Sequence, residues 1–194
     1  MFWNKDVKKS ILPVIVTLRD RRSFSFKLVV SSLLGLIAAI LQAAGGVIPG
    51  IGMFISPFSS APIIISTLLS PTFGILSYIL TIFLLLLIQP SELFIFPFTT
   101  GAIAIGIGLG LILFNKGWKV ICFSGLFLCV GICILLYLIQ FPVLGPFLID
   151  FKVVNIIIIY SFSLVYGWFW CELFLRLLPR LVKPTDNRDG SDGF

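Results

Sequence analysis

The chain has 194 residues, 59% hydrophobic and 11% charged, with a mean hydropathy of +1.15 and a formal net charge of +6. A water-soluble domain of this length needs far more polar surface, so a bilayer must solvate most of these side chains. Histidine is absent, there is no CxxC, and Cys122, Cys129, Cys133 and Cys171 all sit in apolar runs. That excludes a zinc or haem site and argues against an extracellular disulfide framework.

Residues 1–27 form a basic cytoplasmic or interfacial segment. Lys5, Lys8, Lys9, Arg19, Arg21, Arg22 and Lys27 surround the short apolar patch ILPVIVTL, which is interrupted by Pro13 and too short for a signal peptide. Residues 28–180 then hold six apolar segments. The first runs over 28–47. The second, 57–70, carries Pro57 and Pro62 and is too short to cross the hydrocarbon core unaided, so it tilts, breaks or stops short. A tight turn at Ser70-Pro71 leads into the third, 71–89. The fourth covers 93–114, the fifth 118–140 and the sixth 153–178. The tail 181–194 is polar, rich in Gly and Asp, and reads as disordered. The expected fold is an all-α integral membrane protein, a bundle of six transmembrane helices with both termini cytoplasmic, in the plasma membrane.

The basic residues give the direction. The seven of the leader, Lys116 and Lys119 in one loop, and Arg176, Arg180, Lys183 and Arg188 at the end all fall on one side. Lys152 is the single Lys or Arg on the other side. Nucleic-acid binding is not expected, because the charge lines the edge of a membrane domain. The outer connections are apolar instead: GGVIPGIGMFISPF (45–58), QPSELF (89–94) and QFPVLGPFLIDFK (140–152). Loops of that composition fold over a bundle as a lid.

Small residues recur every fourth position on two helices. Gly35, Ala39 and Ala43 form one strip on the first, and Ala102, Gly106 and Gly110 another on the fourth. In lipid such strips allow close backbone approach, which is the main source of helix association there. The second strip reads as internal packing. The first is open to a partner.

The stretch AILQA (39–43) resembles the AxxxA motif on the first helix of S-components, the substrate-binding membrane subunits of energy-coupling factor (ECF) transporters. TLLSPTFGILSYILTIFLLLL (67–87) resembles that family's passage from helix two into helix three. Chain length, six helices, a long first outer loop and a short second helix agree over residues 28–180. The resemblance implies capture of a vitamin or similar micronutrient from outside. It also implies docking through helix one, at Gly35, Ala39 and Ala43, onto a shared T-component driven by two ATPases.

Beneath the outer loops, Gln42, Glu92, Tyr137, Asp150, Lys152 and Asn155 are the candidate ligand-binding groups. A charge in such a place is costly and usually has a partner or a task. Lys152 is the one fixed outer cation for a ligand carboxylate. Phe54, Phe58, Phe94, Phe96, Phe98, Phe141, Phe147 and Phe151 could wall a pocket for a small, partly apolar molecule. Glu172 and Arg176, at i and i+4 near the cytoplasmic end, read as a structural pair or as part of a docking surface.

No GxxxxGK[ST] phosphate loop is present, and no histidine or paired mid-membrane carboxylates suggest catalysis. An enzyme is therefore not expected, nor a cofactor. The competing reading is a non-transporting accessory or structural membrane protein that binds a partner complex through its small-residue helix faces.

Overall fold

The computed structural model describes residues 16, 23–141, 144–145 and 152–181, with side chains in the last helix through residue 177. Most of the basic leader, the tail beyond residue 181 and Asp150 lie outside the described residues.

Helix α1 (Phe24–Val47) opens at Ser23, whose hydroxyl accepts the Phe26 N–H at 3.3 Å. Its inward face carries small and polar residues (Ser31, Gly35, Ala38, Ala39, Gln42, Ala43), and its outward face carries Val29, Leu33, Ile37 and Ile40. In water this would be inside out. In a bilayer it is the expected arrangement, because lipid solvates Leu and Ile while small residues let backbones meet.

After Pro49 and Gly50 (φ 76°) come α2 (Gly52–Ile55), a 3₁₀ turn (Ser56–Ser59) and α3 (Ser60–Leu69). Together they make an 18-residue apolar element, Gly52–Leu69, long enough to span. This corrects the expectation of a second segment too short to cross. The 3₁₀ turn holds Pro57 at its beginning, where a missing N–H costs nothing, so the helix extends back to Gly52.

Ser70 is extended (φ −169°, ψ 142°), as a residue before proline should be, and Pro71 opens α4 (Pro71–Ile88). The fourth span is broken into α5 (Glu92–Phe98) and α6 (Thr100–Leu113). The cause is Pro97, which lacks the N–H that would meet the Leu93 carbonyl, and Thr99 leaves the helical region (φ −120°, ψ −94°). The Thr99 hydroxyl donates to Ile95 O (2.7 Å) and the Tyr78 hydroxyl to Pro97 O (3.1 Å) around this break. Helix α7 (Gly117–Cys133) ends in a π-helical turn (Ile134–Leu138), and α8 (Val153–Leu181) is the last span. Gln140 lies at φ 59°, and the Phe141 N–H reaches back to Leu135 O at 2.8 Å, closing the end of that turn.

Helix α1 packs on α4, α3 lies between α4 and α6, α6 packs on α7, and α7 on α8. The middle of the bundle is Ile63, Ile64 and Leu68 of α3 against Ile103, Ile107 and Leu111 of α6, all fully buried. Glycines set the close approaches. Thr67 is wedged between Gly74 and Gly108, where a Cβ at 108 would lie 2.6 Å from the Thr67 Cβ. Gly106 and Gly110 face Ser124 and Val120 of α7, so this strip packs internally as its spacing suggests.

The strip on α1 is also internal. Gly35 is buried, Ala39 is fully buried and Ala43 is 5% exposed. A Cβ on Gly35 would meet Ser77 O of α4 at 3.1 Å. The docking role expected of Gly35, Ala39 and Ala43 finds no exposed surface at these residues: all three are buried, Gly35 against Ser77 and Leu80 of α4.

Along that seam the Thr81 hydroxyl is shared between Gly35 O (3.0 Å) and Ser77 O (2.8 Å). The Ser31 and Ser77 hydroxyls are buried with no hydrogen-bond partner among the described residues. Two contrasting results are expected from denaturation in detergent. Thr81→Val should cost about 1 kcal/mol, whereas Ser77→Ala should be neutral or stabilise by up to about 1 kcal/mol, since it removes an unsatisfied group. A clear loss on Ser77→Ala would mean that its hydroxyl is bonded in the folded protein.

Candidate functional site

Four elements converge on one buried polar node at the end of the bundle that carries the 48–59 connection. Gln42 lies one turn from the end of α1 and is fully buried. Its side-chain Oε1 accepts from the Ser59 hydroxyl (2.7 Å) at the end of the 3₁₀ turn and from the Thr100 hydroxyl (2.8 Å) at the start of α6. Its Nε2 donates to Glu92 Oε2 at 2.7 Å, in the first turn of α5. Glu92 is 8% exposed. A primary amide is the one neutral side chain that can accept two hydroxyl protons on one end and donate to a carboxylate on the other.

Local sequence puts each member in place. Glu92 begins α5 because Pro90 and Ser91 turn the chain out of α4, with Glu92 N–H bonding Gln89 O at 3.0 Å. Thr100 begins α6 because Pro97 broke the helix one turn earlier. Ser59 faces Gln42 because the 3₁₀ turn packs directly on α1. Gly45, one turn after Gln42 on α1, faces the carboxylate: a Cβ there would lie 3.0 Å from Glu92 Oε1 and 3.1 Å from Ser56 Cβ.

Of the residues expected at the site, the fold joins Gln42 and Glu92 by a direct hydrogen bond. Tyr137 lies in the π-helical turn, which packs on α5, while Lys152 and Asn155 stand at the start of α8 against α7. Lys152 is exposed and its carbonyl accepts the Asn155 N–H (3.0 Å); Asn155 is 9% exposed. Neither Gln42 nor Glu92 bonds to any of these three. Ser59 was missed by sequence reasoning. A serine flanked by proline and phenylalanine in a loop carries no periodic signal, and its role appears only when the turn folds onto α1.

Elsewhere, Leu126, Cys129, Cys133, Tyr137 and Ile156 line an apolar groove of about 540 Å³ between α7 and α8. All four cysteines are free thiols. Arg176 binds Glu172 Oε1 through Nε (2.7 Å) and Nη2 (2.6 Å), the helical pair anticipated from its spacing.

Among the described residues, six helices are long and apolar enough to cross a membrane and carry exposed apolar side chains, the architecture of a multi-pass all-α membrane protein. No protein-family model, no curated protein and no solved structure matches this chain.

Proposed function

We propose that the chain is the substrate-binding subunit of a micronutrient uptake transporter. It captures a small, vitamin-like molecule at the outer face of the plasma membrane and docks through helix α1 on an ATP-driven module of the ECF type, with both termini in the cytoplasm. It carries out no chemical step of its own. The observation that carries this reading is the Gln42–Glu92 node. A buried acid within a membrane-spanning bundle is expensive, and here it lies at the end that the distribution of Lys and Arg puts outside. The resemblance of residues 28–180 to S-components supplies the transport context. Since Gly35, Ala39 and Ala43 are turned inward, docking falls to the opposite side of α1, where Leu33, Leu36 and Ile40 are exposed.

The accessory-protein reading has one observation in its favour. Both acceptor positions of Gln42 Oε1 are already filled by Ser59 and Thr100, as they would be in a node built only to tie helices together. Capture separates the two readings. A tagged T-component, co-expressed with its ATPases and this chain from the same host, should pull the chain down from detergent extract. If a membrane-inserted, folded chain is not captured, the transport-subunit reading fails and the accessory reading takes its place.

A further inference from the structure

We infer that one anionic phospholipid seats against α7 and α8, its headgroup phosphate on Lys116 and Lys119 and an acyl chain in the apolar groove beside them. The inference goes beyond the transport reading and holds equally for an accessory protein, because it rests on the membrane-spanning bundle alone.

Room comes first. A second groove between α7 and α8, of about 380 Å³, lies nearer the start of α7 and is lined by Ile121, Cys122, Leu164, Val165 and Trp168. That volume falls within the roughly 300–1,000 Å³ of small-molecule sites. Glycines bring the two helices close here: Gly125 faces Leu164, and Gly167 faces Ile121 O and Ser124 Oγ. Val165 (64% exposed) and Trp168 (42%) stand at the rim, so the groove opens away from the bundle, toward lipid. Its lining is hydrocarbon, indole and one thiol, which suits an acyl chain and offers a polar solute almost nothing.

Helical spacing then sets a cation at the mouth. Trp118 precedes Ile121 and Cys122 by three and four residues, so the three share one face of α7. Lys119 precedes Cys122 by three, and its Nζ lies over the Trp118 ring, 5.6 Å from the centroid, which draws the ammonium toward that face. Lys116 stands exposed immediately before α7. Among the described residues neither lysine forms an ion pair; the pair described is Arg176 with Glu172.

Charge selects the occupant. Lysine stems run along apolar surface while their ammonium groups reach the headgroup level, and tryptophan settles at the same level. The distribution of Lys and Arg puts this end of the bundle in the cytoplasm, where the leaflet carries anionic lipids. A phosphate there meets two ammonium groups, whereas a second copy of this chain, paired about a two-fold axis on this face, would bring like charges together.

Native mass spectrometry of the full chain, released from detergent doped with lipid, is the test. Dioleoyl phosphatidylglycerol should be retained at one molecule per chain, and dioleoyl phosphatidylcholine should bind about 10-fold more weakly. The double variant Lys116→Gln with Lys119→Gln should weaken phosphatidylglycerol about 10- to 30-fold, two contacts of about fivefold each, and leave phosphatidylcholine unchanged. Val165→Phe fills the groove from an exposed position that the fold tolerates, and should weaken both lipids with the lysines in place. Glycerol 3-phosphate, the headgroup without its chains, should not compete. Equal retention of the two lipids, or phosphatidylglycerol binding unchanged in the double variant, overturns the anionic headgroup. Competition by glycerol 3-phosphate, or no effect of Val165→Phe, overturns the seat of the chain, and no retained lipid overturns the site. Capture by the T-component plays no part in this test, so failure here leaves the transport reading to its own experiment.

Discussion

Gln42→Leu should lower the unfolding free energy by about 3–5 kcal/mol, the range for removing one partner of a buried, hydrogen-bonded charge. Leucine matches the volume and suits a membrane helix, so propensity and packing are not the cause. Three hydrogen bonds disappear at once, leaving the Ser59 and Thr100 hydroxyls and Glu92 Oε2 without their partner in a buried site. The single changes Ser59→Ala and Thr100→Val should each cost about 1 kcal/mol, because Gln42 Oε1 then keeps one donor. Denaturant titration in a mild detergent, with tryptophan fluorescence as the signal, measures all three. If Gln42→Leu costs no more than the single hydroxyl deletions, the node does not tie these helices together.

Gly131→Ala should be as damaging, for a different reason. A Cβ at this position would collide with the backbone carbonyl oxygen of Phe98 and lie 2.7 Å from its carbonyl carbon. The obstacle is main chain at the end of α5, next to the break at Thr99, so no rotamer change relieves it. Helices α5 and α7 must separate, and the expected cost is about 3 kcal/mol, at the upper end for overpacking. Gly167→Ala is the control. Its nearest neighbours would be Ser124 Oγ at 3.2 Å and Ile121 O at 3.7 Å, contacts that a small adjustment accommodates. The yield of monodisperse protein and the melting temperature should fall sharply for Gly131→Ala and little for Gly167→Ala. Equal behaviour of the two would refute the close crossing at Phe98.

Legibility differed between the parts of this molecule. The helical spans could be read directly, because a bilayer demands runs of about 20 apolar residues with internally satisfied backbones. Ser70-Pro71 announced its turn, and the four-residue spacing of Gly106 and Gly110 announced a close crossing. The second span is longer than its apolar run suggests, because Pro57 sits at the beginning of a 3₁₀ turn and Pro62 in the first turn of α3, where neither stops the helix. The strip on α1 shows a deeper limit. Spacing reveals that Gly35, Ala39 and Ala43 share a face but carries no information on what covers it.

The candidate site divides in the same way. Gln42 and Glu92 were recognisable as polar residues at one end of an apolar bundle, since such groups are costly there and stand out. That they touch each other, that Ser59 and Thr100 complete the set, and that Gly45 lets the carboxylate sit close against α1 were settled by tertiary structure. The sequence by itself determined the solvent, the helices and the polar residues available, because hydropathy and period are local properties of the chain. Only the fold decided which small-residue face is internal and which polar groups meet. Residues 42, 59, 92 and 100 lie on separate elements, and their hydrogen bonds depend on how those elements pack rather than on any local pattern.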